Sequence, residues 1–208
     1  MKKSKRIKKS NSWKIKQHRD QFFKKSKTLG FRSRASFKLI ELNKKYKFLK
    51  KNTNLLDLGS CPGSWTQVAS QIIKNGKIMS IDIKEMESIK DVKFYKGDIL
   101  EKETKIQVKN YFNTYLDVIL SDMAADTTGI KSLDSIRTNQ LCADVINFSK
   151  TALKPQGVLV SKLFMGEGFI ELKNLAKSTF KNVNFFKPES SRKESKETYL
   201  HCEILKSL

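Results

Sequence analysis

Short apolar runs rich in branched residues punctuate the middle of the chain at 55–58, 78–81, 92–95, 116–120 and 158–164. Each has the length and composition of a buried strand. Between them apolar residues recur at helical spacing, most clearly at 67–73 and 136–153. Strands alternating with helices predict βαβ units with right-handed crossovers. The expected class is therefore α/β, with a largely parallel sheet covered on both faces.

The two ends read differently. Ala35, Leu39, Leu42 and Tyr46 recur every three to four residues and predict a helix that carries Lys38, with Ser33 or Ser36 near its start. After a helix near 169–180, the runs 183–186 and 199–205 flank a polar loop at 188–196, which predicts a closing antiparallel pair. Residues 1–30 carry charge without a sustained apolar period and end at Gly30, so they are expected to form a basic tail, flexible without a partner. Residues 31–208 then form one catalytic domain.

Chemistry-bearing residues fall at one strand end after another. In an open α/β sheet, ligands bind beyond the carboxyl ends of the strands. The first predicted strand runs into Asp57-Leu58-Gly59-Ser60-Cys61-Pro62-Gly63-Ser64-Trp65. Gly59 and Gly63 let backbone approach a ligand, Pro62 stiffens the turn, and Trp65 offers an amphipathic wall. A plain strand-to-helix turn would look similar, and a single strand-end aspartate is often only a cap. The recurrence of Asp82, Asp98, Asp122 and Lys162 at later strand ends turns the array into a candidate site.

The glycine spacing does not match the G-x-G-x-x-G that seats a dinucleotide pyrophosphate. S-adenosylmethionine has no phosphate and suits the loop better. Asp82 is placed for its ribose hydroxyls, Asp98 for its adenine edge and Asp57 for its methionine end. Lys162 interrupts an otherwise apolar strand, where an unpaired charge would be costly, so it is expected to be paired or functional. Asp122 should lie beside it at the same sheet edge as an acid and base pair.

Charge adds a partner. The chain of 208 residues has a formal net charge of +21, and residues 1–54 hold 20 Lys or Arg against only Asp20 and Glu41. Such a block does not help the compact state and points to a polyanion, nucleic acid first. No secretory apolar segment or membrane-length run is visible, so a cytoplasmic protein without membrane contact is expected. Cys61, Cys142 and Cys202 are too scattered for a disulfide framework. With His18 and His201 as its only histidines, the chain is a poor candidate for a zinc site or a Ser-His-Asp engine.

Several stretches together carry a family resemblance: Ser33-Arg34-Ala35-Ser36-Phe37-Lys38-Leu39, the loop from Asp57 to Trp65, Ser121-Asp122-Met123-Ala124, Lys162-Leu163-Phe164-Met165-Gly166-Glu167-Gly168, and Pro188-Glu189-Ser190-Ser191-Arg192 leading to Glu197. In this order they resemble the FtsJ/RrmJ family of ribosomal RNA 2′-O-methyltransferases, from about residue 31 to the C-terminus. The resemblance implies a Rossmann-like S-adenosylmethionine-dependent methyltransferase fold, with a mostly parallel seven-stranded sheet and an antiparallel closing strand. It places the family's Lys-Asp-Lys-Glu tetrad on Lys38, Asp122, Lys162 and Glu197. Cofactor contacts fall on Gly63, Trp65, Asp82, Asp98 and Asp122, beside Asp57 and Gly59 of the same loop. Two positions depart from the pattern: Ala125-Asp126 stands where the family usually has Pro-Asn, and Ser60-Cys61-Pro62-Gly63-Ser64 where it more often has Ala-Ala-Pro-Gly-Gly.

The implied activity is methylation of a ribose 2′-hydroxyl, at a uridine in the A-loop of large-subunit ribosomal RNA within the subunit, by a monomer that needs no metal. A transfer RNA ribose methyltransferase and a non-catalytic ribosome-assembly factor are the alternatives. For Lys162 to act as base it must be neutral part of the time, which Lys38 would favour and Asp122 and Glu197 oppose. Otherwise it steers the hydroxyl, and Asp122 accepts the proton.

Overall fold

A computed structural model describes residues 20–206; the expected basic tail at 1–19 lies outside the described residues. In chain order the elements are α1 (Gln21–Thr28), α2 (Ala35–Tyr46), β1 (Leu55–Leu58), α3 (Ser64–Ile72), β2 (Ile78–Asp82), β3 (Val92–Lys96), α4 (Lys102–Phe112), β4 (Leu116–Ser121), α5 (Lys131–Ala152), β5 (Leu153–Phe164), α6 (Phe169–Thr179), β6 (Phe180–Phe186) and β7 (Glu197–Leu205). The seven strands form one sheet in the order β3-β2-β1-β4-β5-β7-β6. The pairs from β3 to β5 are parallel, while β7 runs antiparallel to both β5 and β6.

Register sets up the site. Leu58 lies beside Ile81 and Ser121, Ser121 beside Ser161, and Lys162 beside Tyr199. The carboxyl ends of β1, β2, β4 and β5 therefore share one edge. Because β7 enters from that edge, its first residues, Glu197 and Tyr199, are delivered to the same place.

Strand alternation divides the core into two layers. Leu56, Leu58, Ile119, Leu159, Leu163 and Leu200 pack with Val145 and Ile146 of α5 and Leu172 of α6. On the other face Leu55, Val118, Leu120, Val160 and Tyr199 pack with Leu39 and Leu42 of α2 and with Trp65, Val68 and Ala69 of α3. Among the described residues no helix is long and apolar enough to cross a membrane.

The mostly parallel sheet with helices on both faces and an antiparallel strand is as expected, while four local readings change. Helix α4 was not legible, because it buries only Thr104, Val108 and Phe112, one residue per turn in a charged segment. Helix α5 starts five residues before 136, since its first turns bury Asp134, Ser135, Thr138 and Asn139 and leave Leu133 and Ile136 exposed. Strand β7 begins at Glu197, inside the segment read as polar loop.

The fourth change concerns the expected tail, part of which is folded. Helix α1 lies within the 1–30 segment, where Asp20 caps it by accepting from the amides of Phe22 and Phe23 at 3.0 and 3.2 Å. Asp20 also pairs with Arg34. Phe22 packs on Phe37 of α2 at a centroid separation of 5.4 Å. A capped end and an aromatic contact hold a helix that eight residues alone would not sustain. Asp20→Ala is expected to open α1 by about 1 kcal/mol, read as roughly fivefold faster hydrogen exchange of its amides with little shift of the global melting temperature.

Candidate active site

Four charged side chains from four elements meet at the shared strand edge. Lys162 on β5 is only 8 % exposed, and its ammonium donates to the Asp122 carbonyl at 2.6 Å and contacts Asp122 Oδ1 at 2.8 Å. The Tyr199 hydroxyl, from β7 directly opposite Lys162, donates to the same Oδ1 at 2.7 Å. Behind them Lys38 of α2 grips both oxygens of Glu197, at 2.7 and 2.8 Å. Ser191 donates to Glu197 Oε1 at 2.8 Å. Lys38 lies 5.8 Å from the centroid of the Tyr199 ring, so the two ion pairs flank one phenol. All four tetrad positions read from the sequence are thus brought together.

The electrostatics bias the pairs. Burial pushes the Asp122 carboxyl up, but the cations of Lys162 and Lys38 and the hydrogen bonds from Lys162 and Tyr199 outweigh it. The net effect holds Asp122 below the ordinary carboxylate range. Burial, with the charges of Asp122 and Glu197, raises the Tyr199 hydroxyl well above its usual value, so it remains a donor. Tyr199 was missed in the sequence; once Glu197 starts a strand, two-residue spacing puts both on one face.

A cavity of about 300 Å³ opens beside this cluster and includes Gly59, Asp82, Asp98 and Asp122 in its lining, with Ile83 and Ile99 as apolar walls. A side chain at Gly59 (φ +70°) would strike the Met123 backbone at 2.9 Å, so only bare backbone fits there. Asp82 is fixed by the amides of Cys61 and Lys84, both at 2.8 Å, and Asp98 by the amide of Leu100 at 2.9 Å. Each carboxylate retains acceptor capacity. Two carboxylates, apolar walls and a bare-backbone loop suit a nucleoside carrying a ribose diol and an exocyclic amine, as S-adenosylmethionine does.

Other expected contacts stand farther back. Trp65 is 2 % exposed, donates its indole N–H to the Ala35 carbonyl at 2.9 Å and packs on Tyr199 at 5.4 Å. It reaches only a small hollow of about 30 Å³, which also touches Gly59 and Asp122. Gly63 (φ +100°) lines neither cavity; a side chain there would meet Arg32 Nη1 at 2.5 Å. Arg32, unremarked in the sequence, staples the loop by donating to the carbonyls of Pro62, Glu87 and Ser88 at 2.8–2.9 Å. Asn139, also missed, clamps the end of β5: it accepts from the Phe164 amide at 2.9 Å and donates to the Phe164 and Glu167 carbonyls at 3.0 Å.

With this geometry, the similarities of the chain are specific. Residues 31–204 match the model of the FtsJ-like methyltransferase family. The ribosomal RNA large subunit methyltransferase E of Pelagibacter ubique is 45 % identical over 95 % of this chain and 97 % of its own length. The protein of the same name from Rickettsia akari is 43 % identical over 94 % of this chain and 89 % of its own. Among solved structures, one from Plasmodium falciparum, provisionally described as a ribosomal RNA methyltransferase, is 34 % identical with a TM-score of 0.76 over 84 % of this chain and 98 % of its own.

Asp57, expected at the methionine end of a cofactor, lines neither cavity. Strand alternation turns it toward α3, where it is wholly buried and accepts from the Thr66 hydroxyl at 2.5 Å, with Oδ1 unpartnered. Burial, opposed by the Thr66 hydrogen bond and aided by the charges of Asp122 and Asp82, raises its pKa to about 7. The folded state therefore binds the proton more tightly than the unfolded chain. This group's contribution to stability is full below about pH 4 and is lost as pH rises to about 7, at up to about 4 kcal/mol. Asp57→Asn is expected to remove that slope, as measured by chemical denaturation at pH 5 and pH 8; equal slopes in both proteins would refute it.

Proposed function

The chain belongs to the FtsJ-like methyltransferase family, and we propose that it transfers the methyl group of S-adenosylmethionine to a ribose 2′-hydroxyl of large-subunit ribosomal RNA. The reading extends to a uridine of the A-loop as acceptor. The observation that carries it is the Lys162–Asp122 pair, backed by Lys38 and Glu197, beside a cavity that suits a nucleoside. When bound, S-adenosylmethionine supplies a methyl carbon made electrophilic by its sulfonium. Asp82 and Asp98 hold the ribose hydroxyls and the adenine edge in this reading, and the bare backbone of Gly59 allows close approach. Gly63 and Trp65 shape the loop, and Asp57 supports it from beneath.

The acceptor hydroxyl is a weak nucleophile, so placement contributes much of the acceleration. A lysine ammonium has three donors, and Asp122 occupies two of those on Lys162 through its carbonyl and carboxylate. The third is free for the substrate oxygen and turns a lone pair toward the reacting carbon. As the new C–O bond forms and the bond to sulfur breaks, the hydroxyl proton becomes strongly acidic. The Asp122 carboxylate, although held below its ordinary range, then suffices to accept it. Lys38 keeps that carboxylate ionised, and Glu197 fixes Lys38. The nine Lys or Arg of residues 1–19 supply phosphate contacts that fall off steeply with salt.

The test is transfer of a labelled methyl group to unmethylated large ribosomal subunits, with bare transfer RNA and Lys162→Ala protein in parallel. Incorporation into subunits is expected, lowered about 10² to 10⁴-fold by Lys162→Ala. Incorporation into transfer RNA alone would change the substrate, and none into either RNA would favour a non-catalytic assembly role. With Asp122 as proton acceptor, kcat is expected to stay flat between about pH 6 and 8 because its carboxyl lies below the ordinary range. A tenfold rise per pH unit across that window would make neutral Lys162 the base instead.

A further inference from the structure

A second concentration of charge lies at the opposite edge of the sheet, where the parallel strands begin. A hollow of about 340 Å³ is lined by Lys47, Lys50, Lys51 and Lys154, with Asp117 and Glu203 as its acids. Asp117 and Asp122 stand five residues apart along and just beyond β4, so this hollow and the tetrad are separated by about 16 Å of strand. On the flanking helix the same interval is bridged by α2, with Lys38 near its start and Lys47 at its C-cap, about 14 Å along the axis.

Most of the negative charge near this track is already committed. Lys154 pairs with Asp117 at 2.6 Å, and the other Asp117 oxygen accepts from the Asn54 amide at 2.8 Å. Asp20 and Glu41, the only acids before residue 55, are both used internally: Asp20 on Arg34, and Glu41 on the amides of Glu189 and Ser190 at 2.6 and 3.0 Å. Glu203 remains, beside a His201 imidazole that burial and the cation of Lys45 push down to about 4 and so leave uncharged near neutrality. By contrast Lys47, Lys50 and Lys51 are exposed, and among the described residues none has a carboxylate within ion-pair distance. From Lys44 to Lys51 five of eight residues are lysines and none is acidic.

We propose that Lys47, Lys50 and Lys51 form a second docking point for phosphates of the RNA substrate, reached by RNA that runs along α2 from the tetrad. This rests on the proposed function and adds where the RNA goes. Lysines at a hollow bind phosphate as point charges and read no base sequence. Two contact areas about 15 Å apart are engaged together by an RNA that follows α2 over that distance.

The test replaces the three residues together, as Lys47→Gln, Lys50→Gln, Lys51→Gln, beside a triple Lys→Arg protein. The Gln protein is expected to raise KM for subunits about tenfold or more, with kcat at saturation unchanged. Its dependence of log KM on log salt should be shallower by about two to three, at about 0.7–0.9 for each of three lost phosphate contacts. The Arg protein should restore both. Unchanged KM and salt slope in the Gln protein overturn the proposal. So does a loss of affinity for subunits without a loss for deproteinised large-subunit RNA, which would assign the patch to an acidic protein. If the wild-type protein methylates no RNA, the functional reading fails, and filter retention of labelled deproteinised RNA still decides the patch: weaker retention by the Gln protein supports it and equal retention overturns it.

Discussion

A lysine ammonium held almost out of water requires a fixed anion, and the active edge of this protein is organised around that requirement. Taking an ammonium and a carboxylate out of water costs several kcal/mol per ion, recovered only when geometry and additional hydrogen bonds are good. Lys162 and Asp122 meet the condition through two contacts to the ammonium and the Tyr199 hydroxyl on the carboxylate. Those contacts exist only because β4 and β5 end in register and β7 runs the other way between β5 and β6. A one-residue slip of β7 would turn Tyr199 and Glu197 to the opposite face. The antiparallel strand is thus a condition for the ion pair as well as a way of closing the sheet.

A second pair is built on the same logic with similar burial. Lys38 and Glu197 come from a helix and a strand, and Ser191 fixes the carboxylate from the preceding loop. Glu41 of α2 and Arg34 at its N-cap hold that loop, and Arg34 also pairs with Asp20 at the start of α1. The polar segment 188–196 is therefore tied down by charges from the N-terminal helices. This explains how a stretch with no apolar period can present Glu197 in a defined place.

The strands and their order of use were legible because each is a short branched run bounded by turn residues, and Lys162 stood out as a charge where an apolar residue was due. Elements that rely on polar burial were not. The stretch 136–153 read as helix, but the first turn of α5 did not, because it buries Asp134 and Ser135, whose hydrogen bonds leave no apolar signature. Tyr199 looked like an ordinary strand aromatic, since its meaning depends on what stands across the ladder. Asp57 shows the opposite case: it stands in β1 just before the loop, and strand alternation turns it away from the cavity that the loop lines. Position along the chain located the edge of the sheet correctly, and side-chain direction then decided which residues share the cavity.

The uneven charge ties the fold to the proposed chemistry. Lys47, Lys50 and Lys51 make no ion pair among the described residues and face solvent, whereas the lysines that form the tetrad are paired and shielded. In the proposed reaction the two sets serve different stages. Unpaired exposed lysines provide long-range attraction and affinity that depends on salt but little on sequence. Paired buried lysines contribute little to attraction, because their fields are cancelled nearby, yet they are held in the geometry that a weak nucleophile needs. In the proposed reaction, binding energy gained at remote phosphates is spent on bringing one ribose hydroxyl to Lys162, where differential stabilisation of the transition state would arise.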